Sequence, residues 1–464
     1  MSGSELNSGG SGRRLKLWRP PMSGPNSATN VGTVLARMRD AVRNNAWAGA
    51  SMDKRAANAI GCGIQAKALY GTPAQRAEVD ALWTQSLPYL DADGVCTFYG
   101  LQELAWREWD EAGEVFGRIR ARRPADGLPV PMQVQLIESE QCPRDYYGTA
   151  SNGNAIRQGI EFSSIGKRAA YWMYRTHPGD ATWMESRGNE LVRVPAEQVI
   201  HLYRPLRAGQ MRGLPRAQSV LVLIKTLDRV RDNVAERQAI QNLFAGWFIR
   251  PKDSANDSIL EESKVGTDED ETPIAGLEPA TMQELPEGWD VKFSTPPGAG
   301  NDYADFVRTE ILAFCARAGI PYEVLTGDLR DVSDRALKLI LNEFRRTIES
   351  DQWLYMIPNL CQAIRGAWFD AAVLSGRLQF PNYTELRDQI TSTLWMPQGW
   401  PWSHPVQDVE AESKAVRAGF KARSGVILQQ GEDPEEVDRQ QQRDNVRADK
   451  LGLRHDSDGR QGGK

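Results

Sequence analysis

The sequence predicts an α+β fold carrying long helices. Between residues 31 and 210, helix-period segments come first and alternating, strand-like segments follow. From Pro215 to Ser375 the pattern changes to long helical stretches, broken by a Pro- and Gly-rich insert. That insert is also acidic. Asp253–Asp290 holds five Asp and seven Glu against Lys264 alone, a net of −11, whereas the 464-residue chain totals −5. Everything outside the insert therefore sums to +6.

Residues 1–30 are expected to form a disordered arm, because eight of the first twelve are Gly or Ser. Within it RRLKLWRP (Arg13–Pro20) is basic with one Trp and reads as a solvated tail or a phosphate contact. Val34, Met38 and Val42 share one helix face, and the Asn44-Asn45 pair ends that helix and opens a second. GLQELAWREWDE reads as a helix to Glu111, followed by a strand from Glu114 to Arg120. PMQVQLIESE (Pro131–Glu140) and QVIHLYRP (Gln198–Pro205) alternate as strands, and Asn154–Thr176 reads as a hairpin turning at Ile165-Gly166.

Pro215–Ala245 reads as one helix with Pro in its first turn, roughly 45 Å long at ~1.5 Å per residue. Val220, Leu223, Leu227, Val230 and Val234 step by 3, 4, 3 and 4, a narrow seam that needs another helix beside it. After the acidic insert, which includes a short β element at WDVKFS, a second helix starts near Asn301. Tyr303, Phe306, Val307, Ile311 and Phe314 mark its face, and it ends at AGIP. The loop PYEVLTGDLRDV leads to Ser333, an N-cap. Leu337, Leu341, Phe344 and Ile348 carry a third helix, which continues past Trp353, kinks near Pro358 and ends around Ser375. The last ninety residues hold LWMPQGWPWSHPVQDVE, two shorter helical patterns and a charged, Gln-rich tail.

No run of ~18 apolar residues is present, so no membrane span is expected, and no apolar core of a signal peptide is visible. Cys62, Cys96, Cys142, Cys315 and Cys361 are scattered without a CxxC, which signals neither zinc nor a disulfide framework and fits a reducing compartment. The fourteen Trp imply large packed surfaces or subunit interfaces. His177, His201, His404 and His455 do not pair at ligand spacing. GIEFSSIGKR has six residues between its glycines rather than four, and Arg168 stands where a phosphate loop needs Ser or Thr. DADG (Asp91–Gly94) puts its glycine two positions too early for a calcium loop and reads as a turn. No catalytic residue, cofactor site or metal site is therefore expected.

Six stretches, in order, resemble the lambda-type portal proteins of tailed bacteriophages. They are RMRDAVRNNAWAGASMDKRAANAIGCGI, FYGLQELAWREWDEAGEVFGRIR, GIEFSSIGKRAAYWMY, VIHLYRPLRAGQMRGLPRAQSVL, GIPYEVLTGDLRDVSDRALKLILNEFRR, and GFKARSGVILQQGEDPEEVDRQQQRDN followed by LGL. Together they span roughly residues 31–453. The family's Asn-Tyr-Ser-Ser-like stretch is here Asp331-Val332-Ser333-Asp334, and its Asp-Pro after the Trp-rich region is replaced by HPVQDVE.

The resemblance implies a homo-oligomeric ring, typically a dodecamer, at a capsid vertex. Residues 31–214 would then be a wing, 215–246 and 301–319 the two stem helices, and 247–300 an acidic clip. Residues 320–332 would be a tunnel loop, 333–375 a long kinked helix, and 376–464 a helical crown with a flexible tail. Thr326, Gly327, Asp328, Leu329, Arg330, Asp331 and Val332 would face the DNA, with Arg330 as the cation that brushes phosphates. Glu261, Glu262, Asp268, Glu269, Asp270 and Glu271 of the clip would line the bore or meet the motor. The seam from Val220 to Val234 would touch a neighbouring subunit. Implied partners are double-stranded DNA passing without sequence specificity, terminase, major capsid and scaffold proteins, and head-completion or connector proteins. The implied setting is the virion, with the host cytoplasm during assembly. Two other readings stay open: a metal-dependent nucleic-acid enzyme, and an oligomeric scaffold without a DNA path.

Overall fold

A computed structural model describes residues 22–180, 190–241, 246–249, 266–267, 273–274, 290–293, 303–330, 332–402, 404–455 and 458. The chain divides into two compact units, one of Met1–Ser219 with Cys315–Lys464 and one of Val220–Phe314.

The first unit opens with α1 (Val31–Asn44) and α2 (Ala46–Ala59). A single residue separates them, because Asn45 serves both: its N–H closes the last turn of α1 on Ala41, and its side chain accepts from the N–H groups of Trp47 and Ala48. The arm expected to be disordered through residue 30 is in place earlier than that. Asn26 donates to the Gly209 carbonyl (2.8 Å) and accepts from the Met211 N–H (2.7 Å), and Arg207 donates to Ser23 and Gly24.

Strand β1 (Gln65–Ala68) leads into α3 (Pro73–Ser86), whose start is fixed by a Thr72–Gln75 capping box with Pro73 in the first turn. Helix α4 (Phe98–Ala112) begins at Thr97 and stops at Gly113 in the left-handed region, φ 85°. A Cβ on Gly113 would lie 2.1 Å from the Leu214 carbonyl carbon, so two backbones meet there and only glycine fits. The chain turns directly into β2 (Glu114–Ala121).

Two antiparallel sheets follow. β2 lies between β3 (Met132–Ile137) and β9 (Val199–Tyr203) in a three-stranded sheet. A five-stranded meander comprises β4 (Gly148–Thr149), β5 (Ala155–Arg157), β6 (Ile160–Phe162), β7 (Arg168–Tyr174) and β8 (Leu191–Pro195). The turn between β6 and β7 is closed by Gly166 N–H on the Ser163 carbonyl. Phe116, Ile137, Cys142, Ile160, Tyr171, Met173 and Val194 form one core between the sheets.

The second unit holds α5 (Leu221–Gln241), preceded by a single 3₁₀ turn over Gln218–Val220, so the helix expected from Pro215 starts later. β10 (Gly246–Ile249) pairs antiparallel with β13 (Asp290–Phe293), and β11 (Gly266–Thr267) pairs with β12 (Pro273–Ile274). The β10–β13 ladder clamps the two ends of the acidic insert together. Helix α6 (Tyr303–Ala318) runs back into the first unit.

There, α7 (Tyr322–Thr326) occupies part of what reads from sequence as loop, and α8 (Asp334–Asp351) follows. A π-helical segment, Gln352–Cys361, joins α8 to α9 (Gln362–Leu374). Pro358 sits inside it and lacks an N–H, so the ordinary i to i−4 ladder is interrupted where the kink was expected. The chain ends with α10 (Tyr383–Ile390), β14 (Thr393–Met396), α11 (Pro405–Arg417), α12 (Arg423–Gln429) and α13 (Pro434–Leu451). β14 pairs with β1, tying the end of the chain to its beginning.

Five of the Trp residues fit the first of the two expected uses, packed surfaces within a subunit. Trp83, Trp106, Trp109, Trp368 and Trp395 are buried within the first unit, whereas Trp353 and Trp402 are exposed. Trp83, Phe98, Trp368 and Phe369 meet edge-to-face, and the Arg365 guanidinium stacks among three of these rings. Among the described residues no helix is long and apolar enough to cross a membrane.

Candidate functional site

The loop between α7 and α8 is built from short-range bonds. Gly327 ends α7 in the left-handed region, φ 72°, with its N–H on the Glu323 carbonyl. Lys54 of α2 donates to the Val324 and Leu325 carbonyls (2.6 and 3.0 Å), pinning the loop base. The Thr326 hydroxyl accepts from the Asp328 N–H (3.1 Å). Arg330 folds back on Asp328, Nε to Oδ1 and Nη2 to Oδ2, both 2.8 Å. The Arg330 side chain is 85% exposed, yet its charge is met by its own loop. This differs from a bare cation awaiting phosphate: an incoming anion must compete with Asp328, in a pair worth about 0–1 kcal/mol at such exposure. Leu329 is exposed, Val332 half-buried, and Ser333 caps α8 by accepting from the Ala336 N–H.

The other expected site residues separate. On α5, Leu227 is buried, while Leu223, Val230 and Val234 are half-buried, as is Val220 in the preceding turn. Ile224, outside the seam, is buried as well, which broadens the stripe from a strict heptad toward an ordinary helical face. Glu261, Glu262, Asp268, Glu269, Asp270, Glu271 and Asp331 lie outside the described residues.

Sequence reasoning missed two buried ion clusters inside the first unit. In one, Asp110 and Asp351 face three guanidiniums. Arg55 reaches Asp110 (2.7 Å) and Asp351 (3.4 Å), Arg216 reaches both (3.1 and 2.5 Å), and Arg204 reaches Asp351 (3.3 Å). Arg55 also donates to the Gly319 carbonyl, and Trp106 donates to Asp110. The cluster thus ties α2, α4 and the end of α8 to Arg216 and Gly319. Those two residues flank the points where the chain leaves and re-enters the first unit. Against the pull of burial, Arg55 and Arg216 hold the Asp110 carboxyl below the usual range.

In the second, Glu114 accepts from Arg212, Arg144 (2.7 Å), the Ser139 hydroxyl (2.6 Å), the Gly213 N–H (2.9 Å) and His201 Nε2 (3.0 Å). Burial opposes its charge, but Arg144, Arg212 and His201 hold it well below the usual carboxylate range. His201 Nδ1 must accept, because Arg168 donates to it at 2.8 Å, so the imidazole is neutral with its proton on Nε2. Burial, with Arg168 and Arg212 nearby, lowers its pKa to about 4.

A folded pKa below the unfolded value means the unfolded chain takes up the extra proton. Stability from His201 is therefore complete above about 6.5 and lost as the pH falls toward 4. Glutamine can mimic the neutral ring, with its N–H on Glu114 and its oxygen toward Arg168. His201→Gln should leave the protein folded at pH 7 and flatten the loss between pH 6.5 and 4 by about 3 kcal/mol. Urea melts across that range check this; equal slopes for both proteins would refute it.

One group of possible metal ligands, Glu138, Glu140 and His177, lies near α1. Its carboxylates already face Arg39 (3.6 and 3.0 Å), which also binds Glu108, so the described geometry is that of an ion-pair network.

Residues 11–352 match the family described as phage portal protein, lambda family. The chain is 26% identical over 335 residues to a probable portal protein of Halomonas phage phiHAP-1, an alignment covering 69% of this chain and 61% of that one. It is 21% identical over 492 residues to portal protein B of Escherichia phage lambda, covering 96% and 90%. The neck of an empty gene transfer agent particle resembles it with a TM-score of 0.48 at 14% identity, covering 86% of this chain and 94% of that one. An HK97 family phage portal protein from Corynebacterium diphtheriae gives 0.30 at 9% identity, covering 65% and 84%.

Proposed function

As the chain belongs to the lambda family of phage portal proteins, we propose that it closes into a ring at one capsid vertex, through which genomic DNA is packaged and later ejected. The family match across residues 11–352 carries this reading. The ring is a structural conduit, not an enzyme, and the energy for packaging comes from a separate terminase ATPase. A head-to-tail interface between copies must close on itself or it makes filaments.

In this reading residues 31–214 form the wing and α5 and α6 the stem. The insert hung from the β10–β13 ladder is the clip, docking terminase before packaging and connector proteins after it. The loop from Thr326 to Val332 faces the bore, and α8 to α9 runs toward a crown of the last helices. Capsid and scaffold proteins meet the ring's periphery. The ring assembles in the host cytoplasm and stays in the virion.

The acids then have a physical role. Duplex DNA carries one charge per ~1.7 Å of axis, so a bore that bound it tightly would stall it. A segment of net −11 repeated in every subunit makes a negative collar. Screening limits its reach to ~8 Å, so it acts as a short-range non-stick wall. Acids that face outward would select the motor by charge.

Replacing Asp268, Glu269, Asp270 and Glu271 together by their amides should slow packaging or weaken motor docking while rings still form. Both being unchanged would remove this role. In the same packaging assay Arg330→Glu should alter DNA uptake or retention with rings intact; loss of ring assembly would instead make the loop a packing element.

A further inference from the structure

An unassigned row of arginines crosses the first sheet. Arg118 and Arg120 on β2, and Arg122 just beyond it, occupy alternate positions and so leave one face of the strand, roughly 6.6 Å apart. Their cross-strand neighbours on β3 are neutral. Arg118 pairs in register with Gln135 and Arg120 with Gln133, while the side chains of Gln135 and Gln133 accept from Arg120 and Arg122. Among the described residues the acids within reach are few: Asp93 beside Arg120, and Glu190 at 3.7 Å from Arg175.

Arg118, Arg120 and Arg175 line one cleft of about 150 Å³, whose other walls include Met173, Val192 and Val194. The volume equals roughly five waters, enough for one phosphate group and part of its shell. The Arg118 Nε is buried there without an acceptor among the described residues. Burial and Arg175 lower the proton affinity of Arg118, and burial with Arg118 and Arg122 lowers that of Arg120. Converging guanidiniums beside apolar walls repel one another until an anion enters.

We propose that this cleft binds a backbone phosphate of DNA, with Arg118 and Arg175 as its charged donors and Arg120 on its wall. An acidic peptide is a poorer fit. Peptides gain affinity by adding to a strand edge, and the middle of β3's outer edge is already taken: the Val134 N–H donates to the Leu90 carbonyl, and the Val134 carbonyl accepts from the Ala92 N–H. What is left is a row of point charges, suited to repeating phosphates. The choice of DNA over free phosphate rests on the portal reading; the anion chemistry does not.

The test uses full-length protein and a fluorescein-labelled 30-bp duplex, with anisotropy read from 50 to 300 mM NaCl. Arg118→Gln with Arg175→Gln should weaken binding about tenfold or more at 100 mM, and lower the salt exponent by about 2. Should the pair fail to assemble, Arg175→Gln alone, at an exposed position, should lower the exponent by about 1. Unchanged affinity and exponent in an assembled variant would overturn the proposal. Inorganic phosphate at constant ionic strength should compete with the duplex on wild type and not on the variant. Thermal protection of wild type by phosphate, with equal duplex binding by both proteins, would overturn the DNA assignment. Micrographs of the same samples separate the two readings. Open rings with unaltered DNA binding sink the cleft alone, whereas an absence of rings sinks the portal reading.

Discussion

Asp351→Asn is expected to destabilise the first unit by about 3–5 kcal/mol, the scale for removing one partner of a buried ion cluster. Asp351 is 1% exposed and faces Arg55, Arg204 and Arg216. Asp351 ends α8 where the π-helical segment begins, so no free helix N–H groups meet its carboxylate and the guanidiniums supply its counter-charge. The amide preserves shape and loses charge, leaving three guanidiniums to the single carboxylate of Asp110. Arg55, fully buried, has no route to water. Differential scanning calorimetry should show a Tm several degrees lower. Asp328→Asn, which breaks an exposed pair, serves as the control and should change stability by less than about 1 kcal/mol. Equal behaviour of the two variants would contradict the assignment.

Glu114→Gln should be comparably severe, about 3–5 kcal/mol, because Arg212 and Arg144 lose their shared counter-charge inside the core. Glu114 is fully buried at the start of β2, directly after the glycine that lets two backbones touch. Its carboxylate also holds the Gly213 N–H and the neutral His201. Since its folded pKa is depressed, its contribution is complete above the ordinary carboxylate range and lost as the pH falls below that range toward the depressed folded value. The variant should therefore show a weaker acid transition as well as a lower Tm at pH 7. A wild-type acid profile in the variant would show that Glu114 is not the group that titrates.

Much of this fold is written in local chemistry. The Asn44-Asn45 break, the passage from α4 into β2, the hairpin at Ile165-Gly166 and the Pro358 irregularity follow from caps, alternation and a missing N–H. Helix α3 went unread, although Thr72-Pro73 and Gln75 form its capping box, because its apolar face is weak. Other features depend on distance along the chain. β1 pairs with β14 across more than three hundred residues, and no local pattern announces it. Arg55 looks like a solvated helix residue until Asp351, 296 positions later, arrives beside it. Arg330 was legible as an exposed loop cation, yet its pairing with Asp328 depends on a turn geometry that spacing alone does not set. The Trp count indicated large packed surfaces, but not that five of them lie inside one subunit.

The central claim is a closed ring around a DNA path. Electron microscopy of the purified full-length chain tests it most directly. Closed rings of uniform copy number, with an axial hole wide enough for a duplex, are predicted. Monomers persisting at high concentration, or assemblies without a central opening, would contradict it.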